Sequence, residues 1–261
     1  MRFKITLELD SQAFGTVLPI SYQYELFTSV NKLITSNMSA YVQWLDSNGF
    51  TLDDDLHFPL YSVSNLYVPK IFVKGDRLQI NVPRVQFWIS VYPELGTREF
   101  LASNLVGKSI VIGDWISRVL FRITAMDDVS PVEYKQEMEY QTLSPVVVKG
   151  ERPNGSIEYL PPTNHYFPEF FVQALIERWE QYNRRPYTGN RSFRFVQLQP
   201  EKRKAVSVNT DRGRQMKVIG YMLKFRLYMD PQLQELAYVC GLGDCSNMGF
   251  GYLELLKKSP D

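Results

Sequence analysis

Eleven consecutive residues near the C-terminus, Gly241-Leu242-Gly243-Asp244-Cys245-Ser246-Asn247-Met248-Gly249-Phe250-Gly251, hold four of the chain's fifteen glycines. Glycine accepts φ > 0 and lets one backbone approach another closely. Two Gly-x-Gly pairs around a polar tip therefore commit this stretch to a tightly folded connection. Its flanks are equally definite. Asp230 is an N-cap, Pro231 sits in the first turn, and Leu233, Leu236, Ala237 and Cys240 form one apolar stripe that Gly241 ends. Phe250–Leu256 then reads as a strand. A loop fed from a helix end in this way can hold a phosphate or a sugar edge through its N–H groups. The plainer reading is a glycine C-cap followed by a tight turn, and the second glycine pair favours the binding loop over it.

Charge is the next constraint. The chain of 261 residues carries a formal net charge of only +1, but residues 184–226 hold twelve basic and two acidic residues, Glu201 and Asp211. The rest of the chain holds 17 basic and 26 acidic residues. That asymmetry points to a polyanion-binding face in the C-terminal half, with nucleic acid as the partner. The alternative is a solvated strand face with dispersed charge. Hydrophobic residues make up 44% of the chain and aromatics 14%, enough for one large or two small packed domains and too much for a disordered chain. No run of 18 apolar residues occurs, so no membrane span is expected. Met1-Arg2-Phe3-Lys4-Ile5 lacks the apolar core of a signal peptide, and a cytoplasmic location is expected. Cys240 and Cys245 are too few for a disulfide framework; they read as a small buried residue and a spare thiol. His57 and His165 lie far apart and neither cysteine has a histidine nearby, so no metal site is expected. There is no P-loop pattern, so no nucleotide cofactor is expected either.

Hydrophobic periodicity gives an element order. A strand at Phe3–Leu9 is followed by a helix capped by Ser21, with Leu26, Val30, Leu33 and Ile34 at helical spacing, and a shorter helix over Met38–Leu45 ending at Gly49. Strands are expected at Leu60–Val68, Lys70–Phe72, Leu78–Ile80 and Val85–Val91, a helix from about Pro93 to Leu105, then strands at Ser109–Ile112 and Val119–Ile123. The second half offers a strand at Met138–Val148 and a hairpin-like stretch at Pro153-Asn154-Gly155. An amphipathic helix follows on Phe167, Phe170, Phe171, Ala174, Leu175 and Trp179, then strands at Phe193–Gln197 and Met216–Tyr228, then the final helix and strand. Both halves follow β-α-β-β-α-β, so the expected fold is α+β with two tandem ferredoxin-like domains. The pattern breaks near Met126–Ser130, which places the domains at 1–128 and 129–261, the second carrying the glycine loop 241–251.

Gly-hydrophobic-Gly, five intervening residues, then Gly-Phe-Gly leading into a strand resembles the C-terminal glycine-rich loop of CRISPR RAMP proteins. It is most similar to the pre-crRNA-processing endoribonucleases of that superfamily. Leu18-Pro19-Ile20-Ser21-Tyr22-Gln23-Tyr24, Tyr61-Ser62-Val63-Ser64-Asn65-Leu66 and Thr142-Leu143-Ser144-Pro145 resemble further family stretches in the same order. The resemblance implies two ferredoxin-like domains with repeat RNA in and around their cleft. It also implies metal-independent cleavage, in which the ribose 2′-OH attacks the adjacent phosphate and leaves a 2′,3′-cyclic phosphate and a 5′-OH. Such a step needs a base, an acid and positive charge on the phosphorane, and it selects RNA because the nucleophile is the 2′-OH.

The family's usual acid/base is a histidine just after the first helix. Here Asp46 takes that place, Asn31 stands at the position of an assisting tyrosine, and Pro59 lies in the region of a lysine. A carboxylate of ordinary pKa, about 4, accepts a proton at neutral pH but does not readily supply one. His57, with an unperturbed pKa of about 6.5, is the candidate stand-in, and Lys32 the candidate for charge neutralisation; each has a plain alternative as a solvated surface residue. His165 is expected merely to lead into the helix on Phe167. Gly241, Gly243, Asn247, Gly249 and Gly251 are the expected RNA contacts of the loop. The basic pool is Arg191, Arg194, Lys202, Arg203, Lys204, Arg212, Arg214, Lys217, Lys224 and Arg226. Roughly half of it faces RNA if the strands alternate, and Lys202-Arg203-Lys204 has an alternative as a solvated hairpin tip. Phe193, Phe195 and Tyr221 either stack bases or pack the core. The partner implied is repeat RNA or crRNA, with an effector complex as a further one, for a monomer or homodimer. Two alternatives stand beside the nuclease: a catalytically inactive crRNA-binding relative, and a structural RAMP subunit of an effector complex.

Overall fold

A computed structural model describes residues 1–52, 59–209 and 215–256. The first elements are β1 (Arg2–Asp10), β2 (Val17–Pro19), α1 (Gln23–Ile34), α2 (Met38–Ser47), β3 (Tyr61–Val63), β4 (Ile71–Lys74), β5 (Arg77–Ile80), β6 (Arg84–Val91), α3 (Thr97–Leu105), β7 (Ser109–Gly113) and β8 (Arg118–Asp128). They are followed by β9 (Glu137–Thr142), β10 (Lys149–Glu151), β11 (Ile157–Tyr159), α4 (Tyr166–Asn183), β12 (Arg194–Gln197), β13 (Lys202–Asn209), β14 (Gln215–Met222), β15 (Lys224–Tyr228), α5 (Pro231–Cys240) and β16 (Leu253–Leu255). Two compact units form, one from residues 1–57 and 65–131, the other from 58–64 and 132–261.

In the first unit β6, β1, β8 and β7 lie side by side in that order. Strict alternation puts Phe3, Ile5 and Leu7 of β1 on one face, and the antiparallel register sets Ile5 opposite Phe87 and Leu7 opposite Ile123. All five residues are fully or almost fully buried. Leu26, Val30 and Ile34 of α1 and Leu101 and Leu105 of α3 are buried with them, at the four-residue spacing that keeps apolar residues on one helical stripe. A separate three-stranded sheet, β2-β5-β4, is pinned where Arg77 donates to Asp114 (2.6 Å) between β7 and β8.

The second unit has the ferredoxin-like path β9-α4-β12-β15-α5-β16, with the antiparallel sheet order β12-β15-β9-β16. Its core is aromatic. Phe195 packs on Phe167, Phe171 and Phe225, with centroids 5.3–5.9 Å apart. Core packing is thus the place of Phe195, and Tyr221 is also buried. The fully buried Gln234 of α5 accepts from the Tyr140 hydroxyl (3.0 Å) and donates to the Leu227 carbonyl (2.8 Å), tying the helix to two central strands.

Several expected boundaries move, each for a local reason. The helix after β2 is capped at Tyr22, not Ser21; the Tyr22 hydroxyl accepts from the Leu66 amide (3.1 Å) and its buried ring seats the first turn. That same bond diverts the chain after β3, so the expected strand Leu60–Val68 is only Tyr61–Val63 plus an isolated bridge at Tyr67. The helix expected from Pro93 starts at Thr97, after a left-handed Gly96. The strand Met138–Val148 ends at Thr142 because Pro145 has no N–H and Ser144 Oγ instead accepts from the Tyr252 amide (2.9 Å). Met216–Tyr228 is two strands, split at Leu223, whose amide donates to Thr142 Oγ1 (2.9 Å). Lys202-Arg203-Lys204 is no hairpin tip; it opens β13, which pairs with β14.

Candidate nucleic-acid interface

The glycine loop is built from the inside out. Gly241, Gly243, Gly249 and Gly251 all have φ between +77° and +85° and are buried. A side chain at Gly243 would overlap the Val147 carbonyl, and one at Gly251 the Leu242 carbonyl. The Leu242 amide donates to Gly251 O (2.8 Å), Gly251 to Pro145 O (2.9 Å), Asp244 to Val147 O (2.7 Å) and Gly249 to Ser246 O (3.2 Å). These amides are therefore already engaged within the protein. At the centre lies Arg178 of α4, only 1% exposed. It donates to the carbonyls of Cys240 (3.0 Å) and Gly241 (2.9 Å) and reaches Gly243 O and Ser246 Oγ at 3.5 Å. Asn247 is the exposed residue of the polar tip.

The loop's charged neighbours are Asp244 and Lys149. Asp244 accepts from the Lys149 amide (2.7 Å). Burial raises the Asp244 carboxyl above its ordinary value, against the pull of the Lys149 amide, the Lys149 charge and Arg178. Burial alone would lower the Lys149 ammonium; Cys245 first, then Asp244 and Tyr159, outweigh it and hold it above the usual lysine value. Burial likewise raises the Cys245 thiol, and pushes that of Cys240 up to about 11.

The basic pool divides by what each residue touches. Arg226 is held by Glu139 (2.8 Å from Nε) and Glu137 (3.3 Å), and Arg191 by Glu180 (3.4 Å). Arg194 lies over the Tyr228 ring at 3.9 Å. Lys202, Arg203, Lys204 and Lys217 are exposed on the hairpin and Lys224 is half-buried. In the hairpin register Arg203 lies opposite Tyr221 and Ser207 opposite Lys217, on the face opposite to that of Lys202 and Lys204. Arg212 and Arg214 lie outside the described residues.

The candidates Asp46 and Lys32 belong to the first unit. Trp44 of α2 stacks on Phe100 (4.7 Å, 6°) and donates to Thr97 Oγ1 (2.8 Å), which leaves Asp46, two residues on, exposed in the last turn. Lys32 is exposed in the last turn of α1 and Asn31 is half-exposed beside it. His57 lies outside the described residues. His165 caps α4 and its ring lies 3.7 Å from that of Tyr166, in keeping with a residue that leads into a helix. Sequence reasoning missed Arg178. The signal was there: Phe171, Leu175, Arg178 and Tyr182 share one helical stripe, and an arginine on an apolar stripe needs buried acceptors.

No helix among the described residues is long and apolar enough to cross a membrane. Residues 129–255 match the family described as CRISPR associated protein Cas6, C-terminal. A curated relative, CRISPR-associated endoribonuclease Cas6 1 of Methanocaldococcus jannaschii, is 24% identical over 251 residues, covering 95% of this chain and 91% of its own. The product of a Cas6-related gene from Pyrococcus furiosus shares the fold with a TM-score of 0.81 at 19% identity, over 99% of both chains. A RAMP protein described as binding different RNA substrates does so with a TM-score of 0.79 at 20% identity, over 98% of this chain and 100% of its own. The tandem ferredoxin-like path, the glycine loop that ends it and these likenesses agree: residues 129–255 match the Cas6 C-terminal family, and the chain as a whole is similar to Cas6 proteins in sequence and fold.

Proposed function

We propose that the protein is an endoribonuclease that binds CRISPR repeat RNA and cuts pre-crRNA without metal, by 2′-OH attack giving a 2′,3′-cyclic phosphate. The observation that carries this is the cationic hairpin of the second unit, whose Lys202, Arg203, Lys204 and Lys217 stand exposed in a chain of near-zero net charge. Cations so placed neutralise a phosphate backbone. The curated relative's name, an endoribonuclease, supports the cutting of RNA. Asn247 at the loop tip and the hairpin hold the strand. His57 exchanges the proton, Asp46 accepts one or orients the 2′-OH, and Lys32 offsets charge on the phosphorane.

A gel assay with repeat RNA in EDTA tests the reading. Specific cleavage to a cyclic-phosphate end, abolished by a 2′-deoxy substitution at the cut site, is the expected result. His57→Ala should stop cleavage and spare affinity. Unchanged cleavage in that variant rejects His57. One second reading has its own observation: the exposed carboxylate of Asp46 at the position of the family histidine favours a silent relative that holds crRNA. Tight binding with RNA left intact selects it, and Asp46→His should then create activity.

A further inference from the structure

The lysines of the second unit are not evenly spread. Lys202, Lys204 and Lys224 line one cavity of about 370 Å³, within the size range of small-ligand sites. Its origin is the split at Leu223. Met222, the last residue of β14, lies opposite Lys202, whereas Lys224, the first of β15, lies opposite Gln141 of β9. The chain thus passes from the hairpin into the four-stranded sheet within one residue. The crossing is fixed on both sides, with the Leu223 amide donating to Thr142 Oγ1 (2.9 Å) and the Thr142 amide to Leu223 O (3.0 Å). Lysines from two sheets consequently face one hollow.

Three lysines that line one hollow offer an anion entering it three cations to pair with. The nearest carboxylate in sequence, Glu201, is turned to Gln197 Nε2 (2.7 Å). Among the described residues, none of the three lysines is in an ion pair. The remainder of the wall is not ionic. Gln141 and Gln199 bring side-chain amides, and Pro200 and Met222 an apolar surface. An amide both donates and accepts, as the edge of a nucleobase requires, and unpaired bases are what proteins read in RNA.

We propose that this cavity seats one unpaired nucleotide of the bound RNA, its phosphate between Lys202, Lys204 and Lys224 and its base against Gln141, Gln199 and Met222. This rests on the RNA-binding reading above and adds the place where a single nucleotide is recognised. The hairpin and the sheet then act as two jaws, because neither alone carries all three cations.

The test is fluorescence anisotropy with labelled repeat RNA over a salt series. The K202Q/K204Q/K224Q variant is compared with the wild type and with a control variant, K70Q/K74Q/K108Q, whose lysines are exposed on the first unit. Removing the cations that together neutralise this one phosphate of single-stranded RNA should lower the salt slope by about 0.7. Affinity should fall by about fourfold at 0.15 M salt, with the melting temperature and the control unchanged. Abasic substitution along the RNA should find one position that matters in wild type and ceases to matter in Q141A/Q199A. An unchanged slope in the triple variant, with RNA still bound, overturns the cavity and leaves the RNA-binding reading intact. Failure of the wild type to bind RNA at all overturns both. Inorganic phosphate and AMP are the competitors. Binding of AMP that is abolished in the triple variant while its RNA slope is unchanged overturns the assignment to an RNA strand.

Discussion

The glycine loop and the β13–β14 hairpin both draw the eye as phosphate-binding segments, yet they are built in opposite senses. The loop turns its carbonyls inward onto Arg178 and spends the amides of Leu242 and Gly249 on its own backbone and those of Asp244 and Gly251 on the carbonyls of Val147 and Pro145. The hairpin keeps its ladder closed and sends Lys202, Arg203, Lys204 and Lys217 out to solvent. A buried loop whose amides are largely engaged holds a shape, whereas an exposed cationic ribbon is free to meet an anion. The difference teaches that glycine density marks where the fold is tight, and it leaves the exposed cations nearby as the groups to which the proposed binding is assigned.

Breaking the loop should produce the largest effect. Arg178→Met removes the donors to the Cys240 and Gly241 carbonyls and should cost about 3 kcal/mol in urea unfolding. A loss under about 0.5 kcal/mol would mean that the loop does not depend on its arginine. Gly251→Ala comes next. It combines the left-handed penalty of about 1–2 kcal/mol with overlap on the Leu242 carbonyl. Gly15→Ala, at φ +89° with nothing within 4 Å, should show the left-handed penalty alone. Equal losses at the two sites would remove the case for close packing in the loop.

The hairpin should respond in the reverse manner. Arg203→Gln and Lys217→Gln should each leave stability within about 0.5 kcal/mol, while each cation removed from a phosphate reduces the salt slope of RNA binding by about 0.7–0.9. A stability loss larger than the binding change would place the hairpin with the loop. The smallest effect concerns pH. The Asp244 carboxyl is raised by burial in the folded state, so the folded protein holds that proton more firmly than the unfolded chain. Its contribution favours folding in acid and is lost as pH rises through the raised value. Asp244→Asn keeps an oxygen for the Lys149 amide and should flatten that part of the stability–pH curve; an unchanged curve assigns the slope to another group.

Where local chemistry decides, the fold is legible in the sequence. Helix α5 reads correctly because Asp230, Pro231 and Gly241 mark its ends without help from elsewhere. The break at Leu223 is invisible there. Apolar alternation runs straight through Met222-Leu223-Lys224-Phe225, and the residue that interrupts it, Thr142, is 81 positions away. The start of β13 resembles a tip in sequence because three consecutive cations carry no period-two signal, and their pairing partners Gly220–Met222 decide the matter. The lysine cavity is hidden for the same reason, since its cations come from strands in different sheets. The candidate residues Asp46 and Lys32 are placed at helix ends, but their roles depend on distances to bound RNA that no linear pattern encodes.

Residues 59–64 belong to the second unit although they are synthesised with the first. Ser62 donates to the Val239 carbonyl (2.7 Å) and Tyr182 to the Pro59 carbonyl (2.6 Å). A ribosome therefore makes a staple for the C-terminal half long before the helices it fastens emerge. A fragment beginning at residue 129 would lack both bonds, and a chimaera between relatives would have to carry this short piece along with the half it serves.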